Sequence, residues 1–246
     1  MDPNLNFIRL PLKNADNVRD LGGLPAAGGR VTRWKVFLRG DGLYSLDGPD
    51  ADMLISYGVR TNIDLRTASE REEYPSVLAR SDKIKYYGAQ LFGDVGLNNY
   101  AQMNFNDLSL GKIYEKNLKN CAENIKNVFE IIGSEIVNGA ILYNCTAGKD
   151  RTGIITALLL DLAGVSPCDI AANYEVTHTL ITRQIELVKQ IEPDLPPEVF
   201  GSSPDNMIFF TDRLREIYGG ARGYLQNAGV NEGVLESIAE RFTQEY

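Results

Sequence analysis

The stretch Ala140-Ile141-Leu142-Tyr143-Asn144-Cys145-Thr146-Ala147-Gly148-Lys149-Asp150-Arg151-Thr152-Gly153 decides how this chain is read. Its first four residues are an apolar run bounded by polar ones, the signature of a buried strand. From Arg151 to Ala163 apolar residues recur at helical spacing, and Gly164 is placed to end that helix. The segment is therefore strand, tight loop, helix. A loop that enters a helix N-terminus turns backbone N–H groups inward and binds a dianion without side chains. Cys145 at its start and Arg151 six positions on add a thiol and a guanidinium, a combination suited to attack on a phosphate monoester. The thiolate is the nucleophile, and a free thiol near pKa ~8.5 is mostly protonated at pH 7. Loop amides, the positive helix end and Arg151 all favour the anion. A planar guanidinium grips two phosphoryl oxygens at once, which an ammonium does not. Thr152 is placed to donate a hydroxyl hydrogen bond to the sulfur. The competing reading, a structural cysteine before a helix, loses ground because strand and helix flank the loop in the order an anion site needs.

Working outward, Val36–Arg39 reads as a strand, and Ser45 can cap a helix from Asp47 to Tyr57 that Gly58 closes. Thr61–Arg66 is a strand with a polar tip, Glu70–Tyr74 a helical turn ended by Pro75, and Ile84–Tyr87 a further strand. Phe92 to Asn106 has no firm period and reads as a lid-like loop. Helical spacing returns from Leu108, and Ala122–Val137 forms a long helix ahead of the loop strand. After Gly164 the pattern is helical over Cys168–Thr179, Thr182–Ile191, Pro204–Tyr218 and Glu232–Phe242, with a break at Pro193–Pro197. This predicts an α/β fold: a short central, mostly parallel sheet flanked by helices, with a helical C-terminal half. The expectation is one domain over residues 1–246, with 93–119 and 180–226 as lid or helical additions. Ligands of such sheets bind at the carboxyl ends of strands, which brings Asp64, Arg66 and Cys145 to one edge.

The chain has 246 residues, 43% of them hydrophobic and 24% charged, and a formal net charge of −8. Without a Lys/Arg stripe, that charge argues against nucleic-acid or anionic-membrane partners. It also means that a phosphate dianion must be held by positive potential focused locally, from Lys149, Arg151 and the helix end. No apolar stretch reaches membrane-spanning length. Met1–Phe7 lacks a basic n-region and an apolar h-region, so no cleavable signal is visible and a cytoplasmic location is expected. Three cysteines without paired spacing fit a reducing compartment. Cys121 and Cys168 read as core or helix-end residues. The lone His178, on a helical stretch, reads as structural or surface, and a single His counts against a zinc site.

The Cys145-x5-Arg151-Thr152 loop resembles that of the cysteine-dependent protein tyrosine phosphatase superfamily. Asn17-Val18-Arg19-Asp20-Leu21-Gly22-Gly23, Phe37-Leu38-Arg39-Gly40-Asp41, Asp64-Leu65-Arg66 with Glu70, and Tyr218-Gly219 with Tyr224-Leu225 narrow the likeness. Together they resemble bacterial tyrosine and phosphoinositide phosphatases whose loop reads Cys-x-x-Gly-Lys-Asp-Arg, over nearly the whole chain. The resemblance implies a tyrosine phosphatase-like fold, Cys145 as nucleophile through a phosphocysteine intermediate, and Arg151 as phosphate clamp. It implies a cradle from Thr146, Ala147, Gly148, Lys149, Asp150, Arg151 and Thr152, no metal and no organic cofactor. The implied substrates are phosphorylated protein and phosphoinositide. Two positions depart from the pattern: Asn144 stands where His is usual, and Gly40 where many relatives carry Ser. The general acid is open between Asp150, within the loop, and Asp64, whose plainer role is a partner for Arg66 or Arg39. Asp94 or Asp107 on the lid-like segment rank below both. Lys149 is expected to reach past the reacting phosphate to a second anionic group. Asn144 keeps alive a phospho-binding module without turnover. A sulfurtransferase or arsenate reductase would need a resolving cysteine or another loop composition, and neither is seen.

Overall fold

The computed structural model describes residues 5–92 and 109–246. Most of the expected lid-like loop, with Asp94 and Asp107, lies outside the described residues. The loop strand, Ala140–Asn144 (β7), is buried at every position. It is the third of five strands in the order β1 (Arg19–Asp20), β4 (Phe37–Gly40), β7, β5 (Val59–Asp64), β6 (Lys85–Gly88). It pairs in parallel with both β4 and β5, β5 pairs in parallel with β6, and β1 is antiparallel to β4. The sheet is mostly parallel, as predicted. Ile141 and Tyr143 enter one core with Phe37 and Ile63, while Ala140 and Leu142 enter the other with Leu38 and Val59. Side chains alternate across a strand, so one covered on both faces is apolar throughout.

The first face carries Ile125, Val128, Phe129 and Ile132 of the helix Ala122–Glu135 (α4), and the helix that follows the loop, Asp150–Leu162 (α5). α5 is buried along almost its whole length, which makes it the central helix. The second face is covered by Leu54 and Tyr57 of Gly48–Tyr57 (α1). The cap of α1 is Asp47, not Ser45: its carboxylate accepts from Asp50 N at 3.0 Å, and Pro49 occupies the first turn. Such a cap contributes about 1 kcal/mol. The C-terminal half holds Pro167–Leu180 (α6), Thr182–Ile191 (α7), Pro204–Tyr218 (α8) and Glu232–Phe242 (α10). Of these, α7, α8 and α10 have the predicted bounds. Leu110–Asn120 (α3) packs on α8. The sequence pattern missed Ala221–Asn227 (α9), a short helix set among glycines, and a second sheet, β2 (Pro25–Ala26), β3 (Arg30–Thr32) and β8 (Thr243–Glu245). Strands of two or three residues are too short to show a period. Among the described residues, no helix is long and apolar enough to cross a membrane.

Register fixes where the loops meet. Gly40 lies opposite Asn144, and Asn144 opposite Asp64. Three strands thus end level at the carboxyl edge, and the chain leaving each meets the others at Cys145.

Candidate active site

Gly148 makes the loop possible. Its φ of +66° is left-handed, and a Cβ there would lie 2.7 Å from the Gly40 carbonyl oxygen and 2.8 Å from Asn17 Nδ2. Around it, the backbone N–H groups of Thr146 to Thr152 donate to no acceptor among the described residues. Helix α5 has no side-chain cap, as α4, α7 and α9 have none, and its first N–H groups stay open at the loop. Cys145 is 3% exposed.

The carbonyls of the same peptides are tied down. The Thr146 carbonyl accepts from Gly42 N (2.9 Å), that of Ala147 from Asn17 Nδ2 (2.9 Å), and that of Gly148 from Asn17 Nδ2 (3.2 Å) and Arg39 Nη2 (2.7 Å). Because a peptide unit is planar and trans, fixing its C=O on one side aims its N–H to the other. The stretches Asn17–Gly23 and Phe37–Asp41 thus shape the loop from outside it. A Cβ on Gly40 would touch Val18 at 3.2 Å and Leu142 at 3.3 Å, which accounts for a small residue there.

Arg151 does not stand free. Its Nη1 donates to Glu70 Oε2 (2.6 Å), and its Nη2 to Glu70 Oε1 (2.8 Å) and Thr146 Oγ1 (3.1 Å). Thr146 Oγ1 itself donates to Glu70 Oε1 at 2.6 Å. Glu70 lies on Ala68–Glu73 (α2), where it also closes a capping box with Thr67. Burial pushes the Glu70 carboxyl up, but hydrogen bonding and charge from Arg151, with Thr146 and the Thr67 N–H, outweigh it and hold it at about 2. The sequence placed Glu70 in a helical turn and in the family pattern without a role, because nothing local points from it to Arg151.

The two candidate acids differ in surroundings. Asp64 is fully buried and accepts from Arg66 Nε (2.9 Å), Arg66 Nη2 (2.7 Å) and Tyr86 OH (2.9 Å). It is the partner of Arg66, the plainer of its two readings, and its oxygens are taken. Asp150 keeps a 21% exposed side chain in the first turn of α5. It accepts from Tyr114 OH, which lies 2.7 Å from Tyr174 OH, and Lys149 Nζ is 3.5 Å away.

Two expectations are corrected. Lys149 does not extend past the loop: it is buried, and its ammonium donates to the carbonyls of Val199 and Gly201 (the latter at 3.1 Å). A buried ammonium takes the nearest acceptors, and Val199 in the turn Pro197–Phe200 and Gly201 just after it supply them. The Thr152 hydroxyl is buried without a hydrogen-bond partner, so the expected bond to sulfur is not formed. Asn144 Oδ1 accepts from Asn62 Nδ2 (2.9 Å), and its Nδ2 reaches the Cys145 carbonyl at 3.4 Å, a neutral contact in place of a cationic His. His178 Nδ1 lies 3.0 Å from the Phe200 carbonyl oxygen, a structural role. Cys121 is buried between α3 and α4, Cys168 is exposed in the first turn of α6, and both are free thiols.

A buried thiol thus lies beside uncommitted amides at the carboxyl edge of a parallel sheet, an arrangement chemically suited to an oxyanion. The sequence profile of the Tyrosine phosphatase family matches residues 10–244, and the chain belongs to that family. It is 35% identical over 222 residues to a tyrosine-protein phosphatase of Nostoc commune, covering 85% of this chain and 74% of the relative. To the triple specificity protein phosphatase PtpB of Mycobacterium tuberculosis it is 30% identical over 115 residues, 40% of this chain and 42% of the relative. Among solved structures it is similar to P. aeruginosa TpbA, at 12% identity and a TM-score of 0.39, covering 78% of this chain and 86% of that one.

Proposed function

We propose that this protein hydrolyses phosphate monoesters, phosphotyrosine first, through a phosphocysteine intermediate on Cys145. The observation that carries the reading is the row of N–H groups from Thr146 to Thr152 with no acceptor among the described residues, around a cysteine at the end of a buried strand. In the first step the Cys145 thiolate attacks phosphorus and the bond from phosphorus to the leaving oxygen breaks. Asp150 delivers a proton to that oxygen. In the second step water attacks the phosphocysteine, Asp150 takes back a proton, and the S–P bond breaks to release inorganic phosphate and thiolate. Donors preset for the spreading charge need no rearrangement at the moment of reaction. Arg151, already held as a fork, presents parallel N–H groups to two phosphoryl oxygens. Free thiols suit work in a reducing compartment such as the cytoplasm.

The test is hydrolysis of para-nitrophenyl phosphate and of a phosphotyrosine peptide, with rapid acid quench and mass spectrometry of the Cys145 peptide. A phosphorylated Cys145 is expected. Phosphopeptide binding without turnover would instead establish a phospho-binding module.

Phosphoinositides are a second substrate class. The loop Cys145-x-x-Gly148-Lys149-Asp150-Arg151 supports it, as does the similarity to a phosphatase named for triple specificity. To touch a second phosphate, Lys149 must leave the carbonyls of Val199 and Gly201. Bisphosphorylated head groups are therefore expected to turn over more slowly than the phosphotyrosine peptide, with Lys149→Ala costing more on the former. Equal losses on both would confine Lys149 to holding the Pro197–Phe200 turn.

A further inference from the structure

Arg39 and Arg19 lie behind the cradle with exposures of 0% and 2%. A buried guanidinium is costly unless a carboxylate compensates it. Arg66, equally buried, follows that rule with its fork on Asp64. Arg39 and Arg19 do not, since among the described residues neither forms an ion pair with a carboxylate. Arg39 gives Nη1 to Asn173 Oδ1 (2.8 Å) and Nη2 to the Gly148 carbonyl (2.7 Å). Arg19 bonds Asn17 Oδ1, the Asn173 carbonyl (2.8 Å) and Thr177 Oγ1 (3.3 Å). The Nε of each has no partner. Asp41 attracts Arg19 without touching it, and its own oxygens are taken by the N–H groups of Asp16 and Asn17 and by Gln184.

Two neighbouring buried cations without a carboxylate in contact are left with the Cys145 thiolate, which attracts Arg39 without a hydrogen bond to it, and with whatever anion the cradle takes up. The carbonyl that Arg39 holds belongs to the peptide whose N–H is that of Lys149, one of the uncommitted donors of the cradle. A cation on a peptide oxygen polarises the same peptide's N–H. We propose that Arg39, braced by Arg19 and Asn173, is a positioning residue whose charge acts through the Gly148–Lys149 peptide and is balanced by the oxyanion in the cradle. The bound dianion then serves both the exposed donors of the loop and a buried pair that never touches it. Affinity for the dianion should follow the charge of Arg39, not merely the hydrogen bond it donates.

The proposal rests on the loop being an oxyanion cradle, which the wild-type protein tests by itself. Inorganic phosphate is titrated calorimetrically into wild type, Arg39→Gln and Arg39→Lys, with thermal unfolding of each recorded with and without phosphate. The Gln variant keeps a donor without charge and is expected to lose about tenfold in phosphate affinity. Its unliganded melting temperature should be unchanged or raised, because an uncompensated buried charge is gone. The Lys variant keeps the charge and is expected to bind within about threefold of wild type. Wild-type affinity in Arg39→Gln, or loss in Arg39→Lys equal to that in Arg39→Gln, would overturn the proposal. Absence of phosphate binding by wild type would remove the cradle reading instead. If Arg39→Gln does not fold, Arg19→Gln decides: it touches no loop carbonyl itself, keeps a donor for Asn17, and by loss of its charge should weaken phosphate binding about threefold. Unchanged binding there would overturn the proposal as well.

Discussion

Arg151 and Arg39 present the same side chain to opposite sides of one loop, in opposite surroundings. Arg151, at the mouth, is paired through both terminal nitrogens with Glu70 and steadied by Thr146. Arg39, at the back, is buried, holds a loop carbonyl and has no carboxylate in contact. The difference teaches how a loop can be both prepared and reversible. A fork that must meet an incoming phosphate needs a partner to fix its geometry while it waits, and Glu70 supplies one of the right shape. A cation that acts only through the backbone can be immobile, because it never exchanges partners. In the proposed reaction the mouth exchanges partners and the back does not.

The largest effect separates chemistry from both cations. Cys145→Ser should abolish measurable turnover of para-nitrophenyl phosphate while leaving phosphate binding within a few-fold, because hydroxyl replaces thiolate and the amide cradle is unchanged. More than a few per cent residual activity would remove Cys145 from the reaction.

Arg151→Lys breaks the mouth side of the comparison. Charge survives but the bidentate grip does not, and kcat should fall by about 10²-fold, roughly 3 kcal/mol of barrier. A variant within threefold of wild type would mean that the fork does not hold the transferring phosphoryl.

Asp150→Asn sharpens the comparison by sparing both arginines. It should slow phenyl phosphate tenfold or more and para-nitrophenyl phosphate little, since a poor leaving group alone needs the proton. Should Asp64→Asn give that selectivity instead, the acid has been misassigned; loss of folding is the expected result there, because Arg66 would be left buried beside a neutral amide.

Glu70→Gln gives the smallest effect and carries a sign. The Glu70 carboxyl is held at about 2 in the folded protein, below its ordinary value near 4.5. The ionised form therefore stabilises the fold fully above about pH 4.5, and that share is lost as pH falls towards 2. Discounted for a side chain 27% exposed to solvent, the share is roughly 1–2 kcal/mol. Urea unfolding at pH 7 should show Glu70→Gln less stable by that amount, and the gap should close as pH approaches 2. A gap independent of pH would take the charge of Glu70 out of the account.

The sequence by itself determined the strand–loop–helix unit, because its periods and its six-residue thiol-to-guanidinium spacing are local. It determined α7, α8 and α10 for the same reason, since helical spacing is local, but not α9, a short helix set among glycines. Tertiary structure decided who partners whom. Glu70 reaches Arg151 across 81 positions, Arg39 reaches the Gly148 carbonyl across 109, and Asn17 reaches it across 131. No pattern within one segment encodes such pairs. Lys149 shows the limit most plainly, since its identity and its place in the loop were legible but its direction was not. A four-carbon stem can reach in several directions, and the carbonyls of Val199 and Gly201, some fifty residues further on, settle which one it takes.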